Sequence, residues 1–378
     1  MDFATKCIHA IGEADATGAI TPAIYISSTF AHPKLGDTTG FNYTRESNPT
    51  RARLEQLVAA LEEGADALAF ASGMAAVDAV LRLFAPGDHL ITGNDLYGGS
   101  FRIFRSMYEP DGVEFTSVHT SSLEEIEAAL RPNTKAIFLE TPTNPTMEIS
   151  DLRAICRLAK ARGLLVVVDN TFLTPYFQKP LTLGADIVIH SGTKYLSGHN
   201  DILAGFTIAK DPDVAARLRL IYKTTGACLG ALDAWLAIRG IKTLPLRMEQ
   251  HQRNALVLAR WLQKQPQVRY VLYPGLKEHP GYAINAAQTT GFGGMISFAV
   301  KDADAAQYVL EHVKLIKFAE SLGGTESLIT YPIRQTHADL PPEECRAKGI
   351  TDSLLRLSVG IEAAEDLLAD LEQALAGI

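Results

Sequence analysis

Between residues 50 and 240 the chain alternates two kinds of apolar pattern. In NPTRARLEQLVAALEEG the residues Leu54, Leu57, Val58 and Leu61 recur three and four apart, and in GMAAVDAVLRLF so do Val77, Val80, Leu81 and Phe84. That spacing lines one face of a helix, and Gly64 marks the end of the first. Between such stretches lie short unbroken apolar runs: ALAF, HLIT, AIFL, LLVVV and DIVI. A strand covered on one face alternates apolar with polar residues. These runs do not, so both faces are expected to be buried. With helices such as DLRAICRLAKARG set between them, the pattern predicts an α/β architecture: a mostly parallel, doubly wound sheet.

The flanks read differently. The first 45 residues are rich in Gly, Thr, Ser and Pro with weak periodicity, which predicts an extended arm. AIYISSTFAHP within it is too apolar for a loose tail. Beyond residue 245, EQHQRNALVLARWLQKQ predicts a long amphipathic helix, GFGGMISFAV a strand and EAAEDLLADLEQALAG a closing helix. The expected division is an arm at 1–45, a main domain at 46–245 and a smaller α+β domain at 246–378.

Composition narrows the classes. With 378 residues, 47% hydrophobic and 21% charged, the chain can bury a large core over two or three domains. A net charge of −8 disfavours nucleic acid, which wants a basic face. No run approaches the ~20 apolar residues of a membrane span. The start MDFATKCIHA lacks the apolar segment of a signal peptide, so a cytoplasmic setting is expected. Cys7, Cys156, Cys228 and Cys345 lie far apart with no C-x-x-C, which predicts neither a disulfide framework nor a metal site.

Ligands of open α/β sheets bind beyond the carboxyl ends of the strands. There the chain places Ser72, Gly73 and Met74; Asn94, Asp95 and Tyr97; Thr141, Thr143 and Asn144; Asp169, Asn170 and Thr171; and Ser191, Thr193 and Lys194. Ser72-Gly73-Met74 opening a helix is either a plain cap or an anion site built on free N–H groups and the helix dipole. Neither a P-loop nor G-x-G-x-x-G is present, which disfavours triphosphates and dinucleotides. Asp169 either caps a turn or holds a buried cation such as a protonated ring nitrogen. Lys194 is either solvated or a desolvated amine able to form a Schiff base. Tyr97 is either ordinary packing or a stacking surface for a flat ring. Taken together in this order along one rim, the four signals describe a pyridoxal-phosphate site.

The segments YTRESNPTR (43–51), FASGMAA, DLYGGSFR, ETPTNP, VVVDNTF, GADIVIHSGTKYLSGHND, GFGGMISF, AESLGGTESL and LLRLSVGIE carry a family resemblance over nearly the whole chain. The sequence resembles the Cys/Met-metabolism enzymes of pyridoxal-phosphate fold-type I, which include cystathionine γ-synthases, cystathionine γ- and β-lyases, methionine γ-lyases and O-acylhomoserine sulfhydrylases. The resemblance implies that Lys194 holds the cofactor and shuttles protons, that Asp169 pairs with the ring nitrogen and that Tyr97 stacks on the ring. It implies that Gly73, Met74, Ser191 and Thr193 hold the phosphate. Tyr43 and Arg45 would reach the phosphate of a neighbouring subunit, in a dimer commonly paired into a homotetramer. Arg356 would clamp the substrate α-carboxylate, helped by Ser321 and Asn144.

Gly99 stands where methionine γ-lyases typically carry cysteine, which disfavours that activity. Glu320 resembles the γ-synthases and γ-lyases; an acid there either meets the distal amino group of cystathionine or is a plain surface residue. With GHND and ITYPIRQTHAD, the resemblance points first to cystathionine γ-synthase-like replacement on an O-acylhomoserine by cysteine or sulfide, in methionine biosynthesis. A cystathionine β- or γ-lyase is the alternative. A pyridoxal-phosphate protein without catalysis and a cofactor-free Schiff-base aldolase fit the combined residues less well.

Overall fold

A computed structural model describes residues 1–12, 17–338 and 340–378. Residues 13–16 of the arm and Asp339, which ends the ITYPIRQTHAD motif, lie outside them. The predicted apolar runs form strands of one sheet: β1 (Asp66–Phe70), β2 (His89–Gly93), β4 (Thr134–Glu140), β5 (Leu165–Asp169) and β6 (Ile187–Ser191). Two further strands, β3 (Glu114–Val118) and β7 (Gly205–Ala209), complete seven in the order β1-β7-β6-β5-β4-β2-β3. All pairs are parallel except those of β7, which runs against both β1 and β6.

Burial explains why the runs lack alternation. Val166, Val168 and Val188 enter the core on one face of the sheet, while Val167, Ile187 and Ile189 enter the core on the other. Each face is a separate hydrophobic surface, so every strand position must be apolar. Helices begin where the sequence offers side-chain caps. Asn48 accepts from Thr50 N–H at 2.9 Å, Ser72 from Ala75 N–H at 3.1 Å and Asp151 from Ala154 N–H at 2.9 Å.

A second sheet holds β8 (Tyr270–Leu272), β9 (Met295–Ala299), β10 (Lys317–Phe318), β11 (Leu328–Thr330) and β12 (Leu354–Ser358), in the order β10-β11-β12-β9-β8. Leu355 and Leu357 of β12 pack into a third core with Ile296 and Phe298 and with the helices Leu244–Leu262 and Ala364–Leu375. Strand alternation therefore turns Arg356 to the opposite face, toward the large sheet.

The arm departs from the extended reading at its start. Phe3–His9 is a helix capped by Asp2, and its Cys7 is fully buried in the main core. Seven residues with one anchoring cysteine carry too little periodicity to announce a helix; docking supplies its stability. Later in the arm, an isolated bridge joins Thr29 to Tyr43, while Ile20, Ile26 and Leu35 stand exposed.

Candidate active site

The carboxyl ends of β4, β5 and β6, the start of the helix Gly73–Leu81 and the free face of β12 enclose a cavity of about 350 Å³. Gly73, Met74, Tyr97, Asn144, Asp169, Ser191, Thr193, Lys194, Glu320, Ser321 and Arg356 all line it. The structure therefore gathers every predicted site residue except Tyr43 and Arg45. A larger open groove of about 780 Å³ near Asp78, Met107 and Leu220 contains none of them.

Lys194 sits on a tight turn that leaves β6. Its N–H donates to Ser191 O at 3.2 Å, and Gly198 N–H donates to Lys194 O at 2.8 Å. The Nζ donates to Ser321 Oγ at 2.8 Å. Burial, with the Arg356 charge nearby, pushes the amine down to about 8, and Glu320 at the exposed mouth opposes this. Ser321 is held at φ +91°, a backbone region that disfavours side chains, with its carbonyl accepting from Arg356 Nη2 at 3.1 Å.

Asp169 ends β5. Its Oδ1 accepts from the Thr171 N–H at 3.0 Å and the Thr171 hydroxyl at 2.6 Å, and that hydroxyl accepts from Ser191 N–H at 2.8 Å. Burial raises its carboxyl above the ordinary range, and the Thr171 bonds pull it back. A cation brought against this wall would favour its ionised form.

Ser72 caps the helix through Ala75 N–H, which leaves the first N–H groups of the helix, at Gly73 and Met74, outside that bond. A Cβ on Gly73 would lie 3.1 Å from Ser191 Cβ, so the glycine keeps this corner open. With the Ser191 and Thr193 hydroxyls it forms a place for an anion.

Arg356 is 1% exposed, and burial pushes it down to about 10 despite the nearby carboxylates, Glu140 foremost. Nη1 donates to Asn144 Oδ1 at 2.8 Å and Nη2 to Thr330 Oγ1 at 3.0 Å, while Nε has no partner among the described residues. A guanidinium in the cavity lining suits a carboxylate. Anion corner, nucleophilic amine, acid wall and guanidinium together fit pyridoxal phosphate and an amino acid.

Not every strand-end polar residue reaches the rim. Asn170 turns to the other face of the sheet, donating to Glu62 Oε1 at 3.0 Å and Gln178 O at 2.8 Å, because its neighbour Asp169 takes the cavity side. Tyr43 is exposed, and Arg45 lies over its ring at 5.6 Å while its guanidinium meets the Lys223 carbonyl. Sequence reasoning missed Glu140, Phe172, Leu203 and Thr336 in the lining. Glu140 had a signal, because it ends the run AIFLE just as Asp169 ends LLVVVD.

A mostly parallel sheet presenting a strand-end lysine, a strand-end aspartate and a helix-start anion corner defines a fold-type I pyridoxal-phosphate enzyme. The chain belongs to the Cys/Met metabolism PLP-dependent enzyme family, whose sequence profile matches residues 4–376. Its cofactor is pyridoxal 5'-phosphate, and small-molecule amino-acid substrates are consistent with the family. The cystathionine γ-lyase of Bacillus subtilis (strain 168) is 50% identical over 379 aligned residues, covering all of both chains. The cystathionine γ-synthase of Haemophilus influenzae is 49% identical over 96% of this chain and 94% of its own. A cystathionine β-lyase of Lactococcus lactis subsp. cremoris is 46% identical over 98% of both. Among solved structures, a cystathionine γ-lyase from Lactobacillus plantarum complexed with L-serine superposes with a TM-score of 0.97 at 46% identity, covering 100% of this chain and 99% of that one. The chain is thus an enzyme of the trans-sulfuration group. Among the described residues, no cluster of acids, histidines and cysteines could hold a metal, and no helix is long and apolar enough to cross a membrane.

Proposed function

We propose that this enzyme works at the γ-carbon of homoserine-derived amino acids, replacing the acyl group of an O-acylhomoserine with cysteine to give cystathionine. The observation that carries the reading is the spacing of charge in the cavity. Arg356 lines the inner wall, and Glu320 stands exposed at the mouth. A molecule with an α-carboxylate at one end and an ammonium at the other, as in cystathionine, matches both.

Bound pyridoxal phosphate supplies an aldehyde for amines and an electron-withdrawing ring that acidifies the carbons of the attached amino acid. Gly73, Met74, Ser191 and Thr193 would hold its phosphate, Tyr97 would lie along its ring and Asp169 would face its nitrogen. Lys194 then acts twice. Its amine, depressed to about 8, is roughly one-tenth neutral at pH 7, against well under a thousandth for an ordinary lysine, so it would serve as the covalent anchor and, once released, as the base that takes the α-proton. The Ser321 hydroxyl, 2.8 Å from Nζ, keeps the amine on the carboxylate side of the cavity. Arg356 fixes the carboxylate and hence the direction of the α-proton. Tyr97 is the candidate proton carrier for the sulfur that arrives or leaves.

We further propose that Tyr43 and Arg45 act on the cavity of a second subunit, since within one chain they stay outside the lining. The assembly is then a dimer of dimers with shared sites, in a cytoplasmic setting, and the chain divides at residues 45 and 245. A second reading, γ-elimination from cystathionine, is favoured by the 50% identity to the Bacillus subtilis γ-lyase. One experiment separates the readings. The enzyme is incubated with O-acetylhomoserine and cysteine, and separately with cystathionine alone, and products are identified by mass. Cystathionine from the first with little keto acid from the second supports replacement. 2-Oxobutanoate from cystathionine points to γ-elimination, and pyruvate to β-elimination.

A further inference from the structure

Glu140 and Asp169 end neighbouring parallel strands and are paired in register. Both side chains line the same cavity wall. Two carboxylates in one buried wall cannot both keep a charge cheaply, so one of the pair holds a proton. The surrounding donors decide which. Asp169 Oδ1 receives two bonds, from the N–H and the hydroxyl of Thr171. Glu140 is 4% exposed and, among the described residues, receives one, from the Tyr97 backbone N–H to Oε2 at 3.1 Å. Asp95 adds a further negative charge, and Arg356, which bonds Asn144, Ser321 and Thr330 rather than Glu140, offsets this only in part. Behind Asp95, the ring of His337 and the amine of Lys348 face that acid. At the cavity's far side, Lys194 sits nearer Arg356 and Glu320 in its charge environment.

We propose that Glu140 is a positioning residue that keeps its proton: as a neutral carboxyl it ties the Tyr97 loop to the end of β4 and leaves Asp169 as the one negative charge facing the cofactor ring. This rests on the cofactor reading of the wall given above. Burial and the Asp169 charge push Glu140 well above the ordinary carboxylate range, in keeping with the donor count. The neutral state has a chemical consequence. A second anion beside Asp169 would stabilise positive charge on the cofactor and raise the pH at which the bound form loses its proton.

The test compares Glu140→Gln and Glu140→Ala in the reconstituted holoenzyme. It reads the pyridoxal-phosphate dissociation constant and the midpoint of the absorbance change with pH. Glutamine reproduces a neutral carboxyl's acceptor, so Glu140→Gln is expected to keep the dissociation constant within about two-fold and the midpoint within about 0.2 pH unit. Glu140→Ala frees the Tyr97 N–H and is expected to weaken cofactor binding about ten-fold. A midpoint that falls by about half a unit or more in Glu140→Gln shows that a negative charge was lost, and overturns the proposal. Equal affinity of Glu140→Ala and the parent overturns the positioning role. Asp169→Asn is the control. If it retains full affinity and an unaltered midpoint, the cofactor reading of the wall fails. If it loses them while Glu140→Gln shifts, the present proposal alone fails. Should Glu140→Gln not fold, infrared spectra of the unaltered holoenzyme at about pH 8, above the titration of the buried Glu55 at about 7, must show a protonated carboxyl; its absence overturns the proposal.

Discussion

Gly198, four residues beyond the lysine, is where the turn is most sensitive to a single methyl group. Its φ is +71°, and a Cβ there would lie 2.0 Å from Arg247 Nη1 and 2.3 Å from Cζ. That guanidinium is 4% exposed and cannot simply swing away. Nη1 donates to Tyr195 O at 2.7 Å, Nη2 to Gly240 O at 2.8 Å and Nε to Thr243 Oγ1 at 3.2 Å. It therefore ties the turn carrying Lys194 to the end of the helix Ala231–Ile241. In Gly198→Ala the left-handed backbone costs about 1–2 kcal/mol. Retreat of the guanidinium by roughly 1 Å or more breaks the Tyr195 bond, worth about 1.5–3 kcal/mol for a charged donor. The expected loss is about 2.5–5 kcal/mol, a large part of a typical domain's stability. Urea unfolding measures it, and borohydride trapping of the cofactor on Lys194 reports the turn itself. In an Arg247→Ala background the methyl group has room, so Gly198→Ala should there cost only the backbone share, about 1–2 kcal/mol. An unfolding free energy within about 0.5 kcal/mol of the parent, or an equal increment in both backgrounds, refutes the reasoning.

Capture of pyridoxal phosphate by the apoenzyme should accelerate with pH and level off above about 8, where Lys194 becomes neutral; a rate still climbing to ~10 contradicts the buried-amine account. The same depression has a stability consequence. Between about 8 and the ordinary lysine value the unfolded chain binds the proton more tightly, so the Lys194 contribution to apoenzyme stability rises with pH across that window. Lys194→Ala should abolish covalent capture, and a borohydride-stable pyridoxyl peptide from this variant would move the anchor elsewhere. Arg356→Lys loses the fork that reaches Asn144 and Thr330 together, and should raise KM about 10–100-fold with the cofactor absorbance intact; an unchanged KM removes Arg356 from carboxylate binding. Arg45→Ala and Lys194→Ala, each inactive, should regain about a quarter of parental activity when mixed and exchanged one to one, because half the dimers then hold one intact site. No recovery despite proven exchange counts against shared sites.

How much of this was readable from residues alone follows from where burial is symmetric. Strands β1, β2, β4, β5 and β6 are covered on both faces, so their apolar runs stand out. Strand β3 lies at the sheet edge with Glu114 and Ser117 exposed, and EFTSV carries no such run. Strand β7 is fully buried, yet GFTIA is short and opens on glycine. Its reversed direction depends on pairing with β1 and β6, which local pattern does not encode. The helix Phe3–His9 was hidden for the converse reason, since its buried residue is a lone cysteine whose partners are far along the chain.

The cavity lining was legible where its residues end or follow strands, as at Asp169 and Ser191, because backbone geometry there fixes the side-chain direction. Asp169 and Asn170 show the limit of that rule. Adjacent in sequence and both polar, they face opposite sides of the sheet, and only the strand register tells the cavity from the core. Arg356 was legible through the LLRLSVGIE motif but not through physics, since an arginine inside a five-residue strand reads as a surface residue until the two sheets are brought together. Glu140 closes the run AIFLE and so reads as part of the strand, and its interest arises only from its pairing with Asp169. The balance between replacement and elimination lies further out still. On the proposed reading both reactions use the same lysine, aspartate and arginine. They differ in what reaches the mouth formed by Tyr97, Leu203, Glu320 and Thr336, where a thiol must be admitted for replacement and water for elimination. Such a choice rests on a few kcal/mol of differential contact. It follows that substitutions at Leu203 or Thr336, which leave the shared machinery in place, are the ones able to shift the ratio of products.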